Sequence, residues 1–163
     1  MQFCTFYLGK DLYGIDVLEV QEVIRQQEVT KVPLAPAVIR GLINLRGNIV
    51  STIDMRRLLK MKPLENDEQS INVITRVAGG LVSLLVDQVG DVIEAPEDRF
   101  ESVPATVRNE AQNIIARVCK LPGNLLMILN PKRIIDFEGS DSKVRARAGD
   151  TARHAASTQD AEH

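Results

Sequence analysis

Residues 41–59 read GLINLRGNIVSTIDMRRLL, and this stretch is the most informative in the chain. Two apolar runs flank the pair Gly47-Asn48, which is typical of a β-hairpin turn. Asp54 follows the second run, where its carboxylate can accept backbone hydrogen bonds and start a short helix at Met55–Leu59. Arg46 is a lone charge at the turn of an apolar ribbon. Its planar guanidinium suits a defined carboxylate or a binding partner.

A second copy of this pattern lies downstream. Residues 45–59 correspond to residues 121–135, 76 positions later, through a turn, a five-residue strand, an Asp or Asn cap, two basic residues and an apolar pair. Asn130-Pro131 is a clear helix start, because proline suits the first helical position. Residues 3–23 correspond to residues 72–92 at an offset of 69, so the second copy has about seven extra residues before its last hairpin. The repeat predicts two similar β modules.

The composition predicts a β-rich core. Hydrophobic residues make up 44% of the chain but aromatic residues only 4%. Val, Ile and Leu must therefore fill the core, and the β-branched ones favour strands. We predict a folded domain over residues 1–138, with a first module at approximately 1–64, a second at 71–138, and termini that can cross over between them. Residues 139–163, whose only large aliphatic side chain is Val144, are predicted to be a disordered tail.

The residue inventory argues against catalysis. Both histidines, His154 and His163, lie in the predicted tail, so the folded part has no histidine to act as a base or metal ligand. Cys4 and Cys119 lack zinc-site spacing and lie in apolar runs, which is typical of reduced thiols in a core. No glycine-rich phosphate loop leads into a helix. We therefore expect no enzyme activity, no metal and no cofactor.

Charge and hydropathy limit the partners and the location. A net charge of −2 gives no electrostatic reason to expect nucleic acid. The cations between Arg56 and Lys62 are expected to stay in water, because Leu58 and Leu59 bury the other side of a short helix. No apolar run reaches the length of a transmembrane helix, and the N-terminus shows no secretion signal. These patterns predict a cytosolic protein without membrane insertion.

Glu22 and Arg46 are the residues with two open interpretations. Glu22 lies in Val20–Val23, where two apolar residues bracket a polar pair, as at a strand edge or an exposed turn. If the modules pack side by side, Glu22 and Arg46 can pair across the first one. One interpretation is an ordinary surface salt bridge of little energetic weight. The other is an ion pair at the rim of an apolar groove, where it orients a partner helix.

Several segments match a known family. The most specific is Gly41–Gly47 running into residues 49–56, and the others are Tyr13–Val17, Val20–Val23, Pro36–Gly41, Val86–Val92 and Leu125–Ile135. Together they closely resemble the CheW family, the adaptor proteins of bacterial chemosensory arrays. The likeness covers about residues 2–137 in the same order. It implies a mainly β fold of two small five-stranded β-barrels packed together, with short helices.

The resemblance also implies function without catalysis. Such proteins bridge the cytoplasmic tip of methyl-accepting chemotaxis receptors to the regulatory domain of the CheA histidine kinase, within rings of alternating kinase domains and adaptors. A cytoplasmic location at receptor arrays under the inner membrane follows. The residues alone leave an alternative, a paired-barrel protein that binds nucleic acid or a small molecule.

The resemblance assigns six positions to receptor binding: Val20, Glu22, Arg46, Ile49, Ile71 and Val92. Of these, Glu22 and Arg46 match the family's acidic and Asn-Leu-Arg-Gly positions, which influence receptor and kinase binding. The apolar four match positions around the groove between the barrels, where a receptor helix packs. Two further residues are candidates for the kinase-facing edge: Val17 and Val23. Ser83 departs from the pattern, because a smaller residue such as glycine is common there.

Overall fold

The structure, a computed structural model, describes residues 1–66, 68–103 and 113–138, with side chains through residue 135. The tail predicted at residues 139–163 lies outside the described residues. Within the described part of the chain, no helix is long and apolar enough to cross a membrane.

The described residues form mostly strands. The strands are β1 (Gln2–Leu8), β2 (Asp11–Asp16), β3 (Val20–Arg25), β4 (Ile39–Leu45), β5 (Asn48–Asp54), β6 (Ile71–Val77), β7 (Gly80–Val86), β8 (Gln88–Glu94), β9 (Phe100–Glu101), β10 (Ile115–Leu121) and β11 (Asn124–Leu129). The helices are α1 (Met55–Leu58) and α2 (Pro131–Glu138), with short 3₁₀ turns at Val17–Glu19 and Glu97–Arg99.

The strands form two sheets that pack face to face. Sheet A has the order β8-β1-β2-β11-β10-β9, and sheet B has the order β3-β6-β7-β5-β4. Neighbouring strands are antiparallel except for two pairs, β2 with β11 and β5 with β7, which are parallel. The prediction of a mainly β fold with two packed β units is confirmed. The two-residue β9 makes sheet A one strand larger than expected.

The predicted repeat is confirmed by the element bounds. β1, β2 and β3 correspond to β6, β7 and β8 at an offset of 69, and β4 and β5 correspond to β10 and β11 at an offset of 76. When each strand of sheet B is replaced by its repeat equivalent, the order becomes β8-β1-β2-β11-β10, which is the order of sheet A without β9. Each copy therefore contributes strands to both sheets. The module boundaries near residues 64 and 71 remain a prediction.

The local signals that start the helices are also confirmed. The Asp54 carboxylate accepts a hydrogen bond from the Arg57 backbone N–H at 3.2 Å and caps α1. The Asn130 side chain accepts one from the Lys132 N–H at 3.0 Å, just before Pro131 begins α2. Asp54 is the last residue of β5 and Asn130 directly follows β11, so each hairpin leads into a helix without an intervening loop.

The largest core lies between the sheets. It combines side chains of sheet A, including Phe6 and Ile15, with side chains of sheet B, including Ile53 and Leu84, all at most 1% exposed. Ile134 of α2 is also fully buried in it. Each sheet has a smaller second cluster on its other face. Strands therefore contribute apolar side chains to both faces, which explains the continuous apolar runs in the sequence.

The interiors of the two sheets differ in polarity. In sheet B, the buried Ser83 hydroxyl donates to the buried Asn72 side-chain oxygen at 2.9 Å. The equivalent positions in sheet A are Gly14 and Phe3, and a Cβ on Gly14 would lie only 3.1 Å from the Leu126 side chain. Sheet A thus has a phenylalanine and a glycine at the positions where sheet B contains a polar pair. Ser83, the departure noted in the sequence, has its hydrogen-bond partner.

The buried Asn72–Ser83 pair generates a stability prediction. Ser83→Ala leaves the Asn72 oxygen buried without its donor and should lower the free energy of unfolding by about 1–3 kcal/mol. The double variant Asn72→Leu with Ser83→Ala removes both polar partners and should recover much of this loss. Urea denaturation of the three proteins measures the effect. Equal stability of Ser83→Ala and the unmodified protein would contradict it.

Candidate functional site

The centre of the candidate site is an ion pair between Glu22 and Arg46. Glu22 lies on β3 and Arg46 in the turn after β4, and β3 and β4 are the two edge strands of sheet B. The guanidinium Nη1 and Nη2 atoms each donate to one carboxylate oxygen at 2.8 Å. The predicted pairing of these residues is confirmed, and the pair connects the two edges of the sheet.

Arg46 is available to a partner although it is paired. Its side chain is 69% exposed, whereas that of Glu22 is 22% exposed. The hydrogen bonds and charge of Glu22 raise the pKa of Arg46, so its guanidinium stays charged. A guanidinium has five N–H donors, and Glu22 accepts from two nitrogens. The remaining N–H groups have no acceptor among the described residues.

The turn that carries Arg46 has an unusual backbone. Arg46 and Gly47 have φ angles of 51° and 88°, so both lie in the left-handed region. Such pairs form the tight hairpin turns that match strand twist, and asparagine or glycine is preferred in them to arginine. The Asn44 side-chain oxygen accepts a hydrogen bond from the Gly47 N–H at 2.8 Å.

The equivalent position in sheet A has no such pair. Pro122 corresponds to Arg46 and Asp91 corresponds to Glu22. The proline ring fixes a negative φ and carries no charge. The candidate ion-pair site is therefore specific to sheet B, although the strands around it are repeated in sheet A.

Val20 and Ile71 lie on the same face of sheet B. Both are partly buried and pack at the margin of the core between the sheets. Val20 is opposite Thr75 on β6, and Ile71 lies four residues from Thr75 on that strand. At about 3.3 Å per residue, they are roughly 13 Å apart along the strand.

The other predicted site residues are distributed over both sheets. Ile49 follows the Arg46 turn and is 39% exposed, and Val23 is next to Glu22 and also 39% exposed. Val17 is partly buried and begins the 3₁₀ turn between β2 and β3. Val92, 58% exposed, lies on β8, an edge strand of sheet A. Glu22 is opposite Ile74 and Val23 is opposite Val73, so these two side chains lie on opposite faces of β3. Only Arg46 is bound to Glu22, and Val92 lies on the other sheet. The binding roles of these residues remain predictions.

The repeat relates exposed apolar residues of the two sheets. Val23 corresponds to Val92, and Ile49 corresponds to Leu125, which is 47% exposed. Val20 corresponds to Val89, which is 39% exposed and lines a groove of about 620 Å³ together with Ile71 and Tyr7. Sequence reasoning missed Val89 and Leu125. The offsets of 69 and 76 could have found both.

A second ion pair corrects one expectation from the sequence. Arg56 was expected to stay in water, but its side chain is only 16% exposed. Its Nε and Nη2 atoms donate to the Asp87 carboxylate at 2.8 and 2.6 Å, and the Gly9 N–H donates to the same carboxylate at 2.7 Å. Asp87 joins β7 to β8, so these bonds connect the crossover between the sheets to α1 and the β1–β2 turn.

The two ion pairs differ from a metal or catalytic cluster. Across the described ranges, no group of three or more His, Cys, Asp or Glu side chains is arranged to hold a metal ion. Burial raises the pKa of the Cys4 and Cys119 thiols, and both are free and buried. The exposed groups of the site are thus the charged Arg46 guanidinium and nearby aliphatic side chains. Such an arrangement suits recognition of another macromolecule.

The fold and site define a class of module in which two repeat copies each contribute strands to both β-sheets, and an exposed ion pair bridges the edges of one sheet. The family model described as the CheW-like domain matches residues 2–138, and the chain belongs to this family. The chain is 32% identical to "Chemotaxis protein CheW" of Bacillus subtilis over 140 residues, covering 86% of this chain and 89% of that protein. It is 28% identical to "Chemotaxis protein CheW" of Klebsiella aerogenes over 137 residues, covering 84% and 82%.

A solved structure has the same architecture. The crystal structure of the scaffolding protein TtCheW from Thermoanaerobacter tengcongensis is similar with a TM-score of 0.75 and 28% sequence identity. The similarity covers 82% of this chain and 90% of that chain. The resemblance stated from the sequence is confirmed, as are the β-rich architecture and the family.

The Arg56–Asp87 pair generates a pH prediction. Burial alone would raise the pKa of Asp87, but the hydrogen bonds from Arg56 and the Gly9 N–H outweigh it and hold the pKa below its usual range. A lowered carboxyl pKa stabilises the fold above the unfolded value near 4, and the benefit disappears as the pH falls through the folded value. Asp87→Asn should cost about 1–2 kcal/mol at pH 7 and progressively less below about pH 4.

Denaturant unfolding at several pH values measures this difference. A gap between the two proteins that stays constant from pH 7 to pH 2.5 would show that the Asp87 charge does not contribute.

Proposed function

We propose that the chain is a chemosensory adaptor that couples receptors to a kinase by binding both. Its partners would be the cytoplasmic tip of methyl-accepting chemotaxis receptors and the regulatory domain of a CheA-type histidine kinase. It would act without catalysis, in the cytoplasm at receptor arrays under the inner membrane. Membership of the CheW-like domain family and the names of its relatives support this proposal.

The exposed Glu22–Arg46 ion pair is the observation that carries the proposal. Glu22 fixes the guanidinium with two hydrogen bonds of 2.8 Å, yet the Arg46 side chain remains 69% exposed. Because Glu22 already holds the Arg46 guanidinium in place, the side chain loses little conformational entropy when a partner binds its unused N–H groups. Charges in such positions orient a partner, while apolar contacts supply most of the affinity.

The apolar residues fit one helix of a receptor. Val20 and Ile71 are on one face of sheet B, roughly 13 Å apart along β6. This distance corresponds to about two and a half turns of an α-helix with a pitch of 5.4 Å. A receptor helix could therefore contact both residues with apolar side chains that recur on one of its faces. Ile49 and Val92 would extend the contact at its margins.

The kinase is assigned to the outer edge of β3. β3 is hydrogen-bonded on one side to β6, and it is an edge strand of sheet B. Val23 on this strand is 39% exposed, and Val17 lies directly before it. An edge strand with an exposed aliphatic side chain suits a protein–protein contact. Val23 is opposite Val73, two residues from Ile71 on β6, so the proposed kinase and receptor surfaces adjoin on one face of sheet B.

Arg46→Ala should weaken binding to a receptor cytoplasmic fragment or to the kinase regulatory domain by roughly tenfold or more, because the orienting charge is lost. Lys120→Ala is the matched control, since Lys120 is 65% exposed and pairs with Glu101 at 3.0 Å on sheet A. Isothermal titration calorimetry with each purified partner measures both. Full binding by a folded Arg46→Ala protein would remove Arg46 from the site.

An exchange of the two charges separates binding from stability. Glu22→Arg combined with Arg46→Glu keeps an ion pair across the sheet edges but reverses the charge shown to the partner. The thermal midpoint should stay near that of the unmodified protein, while partner affinity should remain low. Recovery of affinity in the exchanged protein would indicate that the pair acts only as a structural salt bridge.

Aspartate substitutions test the division between the two partners. Ile71→Asp places a charge among apolar contacts of the receptor face, and Val23→Asp does so at the β3 edge. Ile71→Asp should reduce receptor affinity and leave kinase affinity within about threefold, and Val23→Asp should do the reverse. Titrating each of the two variants with each of the two partners gives four affinities to compare. The same loss for both partners in both variants would contradict separate surfaces.

A further inference from the structure

We infer that Asn44 is a positioning residue for Arg46, an inference whose binding part rests on the proposed function. Asn44 Oδ1 accepts the Gly47 N–H at 2.8 Å, across the residue that carries the guanidinium. The Asn44 side chain is exposed and is outside the apolar clusters of sheet B. Its hydrogen bond fixes the turn, and the turn directs Arg46 towards Glu22.

The backbone at Arg46 explains why a fixing contact is useful. Arg46 has a φ of 51°, a conformation that side chains other than glycine, asparagine and aspartate adopt rarely. The neighbouring Gly47 tolerates many conformations, so the turn alone does not restrict the chain to one of them. A hydrogen bond to the Gly47 N–H stabilises the left-handed geometry and limits the directions available to the Arg46 side chain.

The β6–β7 hairpin has a similar turn shape without such a bond. Ala78 and Gly79 form the β6–β7 turn with φ angles of 49° and 80°, close to those of Arg46 and Gly47. The residue two positions before Ala78 is Arg76, whose guanidinium donates instead to the Leu18 and Val20 carbonyl oxygens. Among the described hairpins with this geometry, the asparagine contact occurs where the turn carries the charged site residue.

The equivalent hairpin of sheet A gives the same contrast. Lys120 occupies the position of Asn44, and Pro122 occupies that of Arg46. The proline ring fixes its own φ, so this turn is restricted without a side-chain cap. Lys120 pairs instead with Glu101 at 3.0 Å. Sheet B thus has both the capping asparagine and the arginine, and sheet A has neither.

Positioning also defines the chemistry of the partner group. With Glu22 accepting at Nη1 and Nη2, the unused guanidinium N–H groups require oxygen acceptors. A carboxylate or carbonyl oxygen on the receptor surface meets this need. Because the fork is already oriented, binding pays less of the entropy of ordering a long side chain. Removal of Asn44 should therefore reduce affinity while Arg46 itself is intact.

The test compares Asn44→Ala, which lacks the acceptor, with Asn44→Asp, which retains an oxygen at that position. Lys120→Ala is the control at the equivalent position. In the free protein, Asn44→Ala should speed hydrogen exchange of the Gly47 amide by roughly tenfold. It should also average the separate NMR signals that the paired Arg46 Nη protons give. Receptor-fragment affinity should fall by about three- to tenfold with little change in the thermal midpoint.

Asn44→Asp should restore the exchange rate, the Arg46 signals and the affinity. Unchanged Arg46 signals in Asn44→Ala would overturn the positioning role, whatever the binding result. If the Arg46 signals change but receptor affinity stays full, Asn44 positions Arg46 only in the free protein, and its role in binding is overturned. If the unmodified protein binds no receptor fragment, the proposed function fails, and the NMR comparison still decides whether Asn44 positions Arg46.

Discussion

Four strand pairs hold the two halves of this chain together: the parallel pairs β2–β11 and β5–β7, and the antiparallel pairs β1–β8 and β3–β6. Each pair joins a strand of one repeat copy to a strand of the other. The hydrogen bonds in these pairs are long-range, because Leu12 is opposite Leu126 and Ser51 is opposite Val82. Neither sheet is complete until both copies have been made. The core between the sheets, the crossover at Asp87 and the Glu22–Arg46 bridge all depend on that exchange.

The two repeat copies share one scaffold but differ in charge and core polarity. The strand order of sheet B recurs in sheet A, but Arg46 is replaced by Pro122 and Glu22 by Asp91. The interior changes as well, from the hydrogen-bonded Asn72 of sheet B to the ring of Phe3 in sheet A. Backbone geometry is therefore conserved between copies while surface charge and core polarity are not. One fold thus presents two similar apolar edges with different charges.

Features of this fold that depend on residues close in sequence were predictable, and most of those that depend on distant residues were not. Hairpins, caps and the repeat depend on neighbouring residues, so the periodicity and turn residues of Gly41–Leu59 predicted them. The Glu22–Arg46 pair was also predictable, because a lone guanidinium in an apolar ribbon requires a partner. The pairing of β2 with β11 was not, since alternation within a strand does not identify its neighbour. For the same reason, a basic run on a short helix gave no sign that Arg56 binds Asp87, 31 residues away.

The division of each repeat copy between the two sheets has a mechanical consequence. If each repeat copy formed its own sheet, the sheets would be joined by one connecting segment, and a pull on one could separate it from the other. Here the chain crosses between the sheets at Val17–Glu19 and again at Asp87. Pulling the two repeat copies apart would instead shear the β2–β11 ladder of sheet A and the β5–β7 ladder of sheet B, in which several backbone hydrogen bonds share the load. A pull on one repeat copy is therefore resisted in both sheets at once.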